Sequence, residues 1–113
     1  MISVEDLARR LRLQQLTSLE LSGRTVRAGL VGDLLSWVAA YGRKGAAWVT
    51  VQTHVSVVAI AHLRALSCVI VAGGIAVPDG TITRADSIGM PVLRSEDSAY
   101  SLCLGLCALG VPA

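Results

Sequence analysis

Short apolar runs and longer amphipathic stretches alternate along most of this chain. Ala46 to Val51 and Cys68 to Val71 are brief apolar runs, and Thr25 to Leu30 and Met90 to Leu93 are shorter or more mixed versions of the same thing. Each reads as a strand. Buried parallel strands are apolar on both faces and lack the alternation of half-exposed ones. Between them lie stretches of roughly ten residues with helical spacing. The spacing predicts helices from Gly32 or Asp33 to Gly42, from Val55 to Ala65, from Thr81 to Ser87, and from Ser95 or Asp97 to about Leu109. A first helix is expected from Val4 to about Leu13, with Ser3 as its cap and Asp6 completing a capping box. Thr17 to Ser22 fits a strand or an extended loop equally well, and Pro78-Asp79-Gly80 reads as a turn.

From Thr25 onward the order is therefore β-α-β-α-β-α-β-α, the pattern of parallel crossover units. The expected fold is α/β: a single domain, residues 1–113, built as a three-layer α/β/α sandwich around a mainly parallel sheet. Leu34, Leu35, Val38 and Tyr41 are expected to face the core. Trp37 and Trp48 are expected to anchor it beneath the strand ends, with acceptors for their indole N–H groups.

Composition sharpens this picture in one respect. Hydrophobic residues make up 53% and charged residues 16% of the chain. An average soluble domain has about 25% charged residues. Either the sheet is covered on both faces or apolar surface is lost at a subunit contact. Tyr41 and Tyr100 are candidates for such a contact. The apolar stretches are too short to span a bilayer, which takes about 20 residues, and the acids Glu5 and Asp6 stand where a secretory leader would be basic. Neither a membrane nor nucleic acid is expected as a partner: the ten Lys and Arg are scattered, and no recognition module is visible. Arg43 and Lys44 read simply as a turn with two cations. The three cysteines, Cys68, Cys103 and Cys107, point to reduced thiols in the cytoplasm. Cys103 and Cys107 share a helix face and read as small buried apolar residues. No cofactor and no metal set is expected.

Candidate chemistry follows from topology. In an open parallel sheet, ligands bind beyond the C-terminal ends of the strands. Polar groups fall at four such ends: Gly32-Asp33, Gln52-Thr53-His54, Gly73-Gly74, and Ser95-Glu96-Asp97. If the strands are parallel, these groups share one rim. Asp33 either complements a helix start, bonds an adjacent loop, or contacts a ligand or subunit. Ser36 lies one turn on and can point near it. Thr53 is a candidate helix cap. Gln52 has an amide that donates and accepts, and His54 is a candidate for ligand or subunit contact or for holding a loop. Gly73 and Gly74 allow a positive φ or close backbone approach, which suits an anion, another chain or a plain turn. Ser95 completes the candidate set. There is no dinucleotide fingerprint and no phosphate-binding loop. His62 reads as a surface or interface residue.

Val31-Gly32-Asp33-Leu34-Leu35-Ser36, Trp48 to His54, and Val69-Ile70-Val71-Ala72-Gly73-Gly74 closely resemble the DRTGG domain family. The likeness runs from about Thr25 to Gly110. That family is related to the N-terminal domain of bacterial HPr kinase/phosphorylase and, more distantly, to N-terminal domains of Mur ligases. Its members stand alone or are joined to CBS domains, and stand-alone members often sit near iron-hydrogenase genes. The resemblance implies a non-catalytic regulatory or assembly role. It also implies a homodimer or higher homo-oligomer, with a small anionic metabolite or a protein as partner. The residues carried over are Asp33, Gln52, Thr53, His54, Gly73 and Gly74. The string that names the family is absent, and Ser56 stands where many relatives carry asparagine. Two alternatives remain. One is an accessory subunit of an iron-hydrogenase or other redox system, and the other is a small hydrolase or phosphoryl-transfer enzyme using Asp33 and His54.

Overall fold

A computed structural model describes residues 1–113. Five helices and five strands follow one another as α1 (Val4–Arg10), β1 (Gln14–Gln15), β2 (Ala28–Val31), α2 (Leu35–Tyr41), β3 (Ala46–Thr50), α3 (Val55–Leu63), β4 (Cys68–Val71), α4 (Asp79–Ile88), β5 (Val92–Arg94) and α5 (Ala99–Ala108). The sheet order is β1-β5-β4-β3-β2. Strands β2 to β5 are parallel, and β1 joins β5 antiparallel at one edge. This is the expected three-layer arrangement around a mainly parallel sheet.

Strand residues alternate between two cores, as the pleat requires. Trp48, Val69, Val71 and Val92 pack with Val38 of α2, Val57, Val58 and Ala61 of α3, and Ala85 of α4. Ala47, Val49, Cys68, Ile70 and Leu93 pack with Val4 and Leu7 of α1 and Leu102 and Leu106 of α5. Burial on both faces explains why β3 and β4 read as unbroken runs.

Several boundaries differ from expectation. Helix α1 stops at Arg10. Leu11 caps it and Arg12 takes a left-handed φ of 55°. The two-residue β1 lies outside the stretch judged ambiguous, and so short a run carries no periodic signal. Asp79 and Gly80 form the first turn of α4, with Pro78 ahead of it. Proline suits such a start because it needs no hydrogen-bond acceptor.

Only two of the four residues of α2 and its cap expected to face the core do so. Val38 is fully buried and Leu35 packs against the core, but Leu34, Trp37 and Tyr41 are 68%, 45% and 64% exposed. Trp37 is therefore a surface residue, unlike Trp48. Cys103 and Cys107 are likewise not buried: one is half-buried and the other exposed. All three cysteines are free thiols.

Candidate functional site

Parallel pairing brings the ends of β2, β3 and β4 to one edge of the sheet. The polar groups there form two tightly bonded clusters.

The first is centred on Asp33. It lies ahead of α2, whose cap is Leu34 with no side-chain bond, so the carboxylate does not serve that helix start. Its Oδ1 instead accepts from the Thr50 hydroxyl and from the Val51 amide, both at 2.8 Å. Gln52 Nε2 donates to the Asp33 carbonyl at 3.2 Å, and Trp48 Nε1 donates to the Gly32 carbonyl at 2.9 Å. Four bonds thus latch the loop after β2 to the end of β3. Thr50 is buried while Asp33 is exposed. Asp33 Oδ2 accepts no hydrogen bond from the chain.

His54, and not Thr53, caps α3. Its Nδ1 accepts from the Ser56 amide at 3.1 Å and lies 2.8 Å from the Ser56 hydroxyl. An amide can only donate, so Nδ1 carries no proton in this arrangement and Nε2 holds it. The exposed ring therefore presents a donor to solvent. Ser56 serves the helix start. Thr53 contributes its carbonyl, which accepts from the buried Thr81 hydroxyl at 2.8 Å and ties α4 to this loop. Ser36 is exposed and makes no hydrogen bond to Asp33. Asp33 and His54 do not bond each other, and each is engaged in holding a loop or helix start.

The second cluster joins the ends of β4 and β5. Gly73 and Gly74 have φ of 77° and 67°, the left-handed region expected of them. Their amides donate to the carbonyls of Asp97 and Ser95, each at 2.7 Å. A Cβ on Gly74 would collide with the Glu96 carboxylate. Buried Ser95 accepts from the Asp97 amide at 3.0 Å, and α5 is capped by Ser98 instead of Ser95 or Asp97. Arg94, which sequence reasoning did not single out, fixes the glycine loop. Its Nε donates to the Ile75 carbonyl at 3.0 Å and its Nη2 to the Gly74 carbonyl at 2.5 Å. It also pairs with Glu96 at 3.3 Å. The glycine amides are thus occupied by the chain itself and form no phosphate cradle.

No three His, Cys, Asp or Glu side chains group as a metal site. No helix is long and apolar enough to cross a membrane. At the ends of β2 and β3, at the start of α3 and along α2, however, large apolar side chains face solvent. Val31, Leu34, Trp37, Tyr41, Val51 and Val55 are 40–68% exposed, and the Trp37 and Tyr41 rings lie 5.4 Å apart.

No protein-family model matches the chain, and none of the curated proteins does. The fold does match a solved structure: the CBS and DRTGG domains of the regulatory region of Clostridium perfringens pyrophosphatase, complexed with its activator diadenosine tetraphosphate. The TM-score is 0.70 at 13% identity. The alignment covers 97% of this chain and 47% of that one, so this chain spans about half its length. The likeness is one of fold.

Proposed function

We propose that this chain is a regulatory or assembly domain of the DRTGG type. It works by associating with a second copy of itself through the apolar surface beside the rim, and not by catalysis. The observation that carries the reading is the outward stripe of α2. Leu34, Trp37 and Tyr41 recur at helical spacing on one face, and Val31, Val51 and Val55 are exposed at the rim, where α2 begins. Six such side chains expose on the order of 500 Å², the upper part of what monomers show. A standard interface covers about 800 Å² per partner, so this patch would form its apolar centre. Helix α2 carries no charge from Leu35 to Tyr41. A neutral face can meet its own copy without like-charge repulsion, as a two-fold contact requires. The fold match to a regulatory region supports the regulatory half of the reading.

A second reading is a small ligand at the rim; the solved structure of CBS and DRTGG domains is a complex with a small-molecule activator. The rim suits a ligand that donates hydrogen bonds: Asp33 offers a free carboxylate oxygen, and the glycine amides are engaged. The enzyme alternative is weakened because Asp33 and His54 are each tied to a structural partner.

Light scattering across a concentration series tests the assembly reading. A dimer that Trp37→Glu converts to a folded monomer is the expected result. A wild-type chain that stays monomeric at high concentration would contradict it.

A further inference from the structure

The end of the sheet opposite the rim has a different character. The loop Gly42-Arg43-Lys44-Gly45 lies there, between α2 and β3. Two arginines from elsewhere in the sequence rest on its glycines. A Cβ on Gly42 would lie 3.2 Å from Cβ and Cγ of Arg64, so the Arg64 stem packs directly on that glycine. Arg64 Nε also donates to the Gly42 carbonyl at 3.0 Å. A Cβ on Gly45 would lie 2.6 Å from Cδ of Arg27, and the Arg27 amide donates to the Gly45 carbonyl at 2.8 Å. Gly45 has a φ of 81°, which favours glycine in any case. Arg43 and Lys44 stand exposed between the two seats. Four cations from three segments thus surround one loop.

None of the four pairs with a carboxylate side chain. The ion pairs of this chain are Arg9–Asp6 and Arg94–Glu96, both elsewhere. Arg43 makes one contact of another kind, donating to the carbonyl of Ala113 at 2.6 Å. The whole chain is only +2, and Asp33, Glu96 and Asp97 lie at the rim. Four cations around one loop are therefore a local concentration of charge, whereas at the rim Arg94 offsets Glu96.

We propose that the Gly42–Gly45 loop with Arg27 and Arg64 is a docking surface for a linear polyphosphate group. The assignment goes beyond the assembly reading and rests on different side chains, the loop following directly on Tyr41 at the end of α2. The two glycine amides do not take part: Gly42 N donates to the Val38 carbonyl at 2.7 Å and Gly45 N to the Ala65 carbonyl at 2.9 Å. Recognition falls to the side chains. Three of the four are arginines, whose planar forks bind phosphate oxygens in pairs. One phosphate has four oxygens to share among four cations, whereas a chain of them can offer each arginine a pair. The glycines have a role here too: any side chain at Gly42 or Gly45 would lift an arginine off its seat.

The test is calorimetric titration with inorganic tripolyphosphate at low salt. Arg43→Gln with Lys44→Gln alters two exposed side chains and leaves the seats intact. This pair is expected to weaken binding by about tenfold, as loss of two exposed charge contacts implies. Arg9→Gln with Arg10→Gln removes the same charge from α1 and is expected to change binding less than about twofold. Amide shifts should map to residues 27, 42–46 and 64. No binding by the wild-type chain would overturn the proposal. Equal loss in both double variants, equally tight binding of inorganic monophosphate, or shifts confined to the rim would do the same.

Discussion

Asp33→Ala separates a structural from a ligand-binding role for the most prominent rim residue. The substitution removes a carboxylate oxygen that accepts from Thr50 Oγ1 and from Val51 N, both at 2.8 Å. Hydrogen bonds to charged groups contribute about 1.5–3 kcal/mol. Val51 is exposed and its amide can turn to water, so that bond counts for less. Thr50 is 1% exposed, and its hydroxyl would lose the acceptor it now has. A net loss of about 2 kcal/mol follows. At about 4 °C per kcal/mol for a domain of this size, Tm falls by about 8 °C. Asp33→Asn keeps an oxygen acceptor without the charge and should lose about half as much, since neutral bonds are roughly half as strong. Thr50→Val should be non-additive with Asp33→Ala by about 1 kcal/mol in a double-mutant cycle. Urea unfolding followed by far-UV circular dichroism measures wild type and the variants alike. If Asp33→Ala lies within about 0.5 kcal/mol of wild type, the latch is not what holds the loop, and the reasoning fails.

Other consequences are independent of the rim. Ala65 follows α3 with φ of 54°, a conformation that costs an L-residue about 1–2 kcal/mol. Ala65→Gly should therefore raise stability by roughly 0.5–1 kcal/mol after the entropy of the unfolded glycine is counted, measured as a shift in urea midpoint. Arg24 donates to the Ser67 carbonyl at 3.1 Å and to the Gly89 carbonyl, joining the segments that lead into β4 and β5. Arg24→Met should cost about 2 kcal/mol by the same measurement. Burial pushes the Cys68 thiol from 9.0 up to about 12. Its contribution to stability is complete below pH 9, where both states keep the proton, and is lost between pH 9 and 12, where only the unfolded chain releases it. Unfolding free energy should fall by up to about 1.4 kcal/mol per pH unit in that window, and Cys68→Ala should remove that fall.

The strands and their shared direction were legible because burial on both faces leaves a mark in the sequence: runs such as Cys68–Val71, with no polar alternation. The rim was legible for the same reason, since polar residues follow each run directly. What each rim residue does was not. His54 rather than Thr53 caps α3, and Ser98 rather than Ser95 caps α5, because capping depends on where a turn places one atom. Gly73 and Gly74 adopt the expected φ, but their amides meet carbonyls of Ser95 and Asp97, more than twenty residues away. Spacing along the chain carries no trace of that pairing. Leu35 and Val38 face the core as the spacing predicts, but Leu34, Trp37 and Tyr41 do not, because LLSWVAAY is apolar on nearly every side. Only the packing of Val38 against the sheet decides that Trp37 faces out. The seats of Arg27 and Arg64 were hidden similarly: each is remote in sequence from the glycine it covers.

The two tryptophans make the central claim directly measurable. Trp48 is fully buried, and Trp37 is 45% exposed at the centre of the proposed contact. Collisional quenching of tryptophan emission, followed as protein concentration rises, reports on Trp37 against the shielded background of Trp48. Association through α2 predicts that quenching falls with concentration and that the Trp37→Phe protein shows no such change. Quenching of Trp37 that stays constant while light scattering shows a dimer would place the contact on another face, and constant quenching of a persistent monomer would remove the contact altogether.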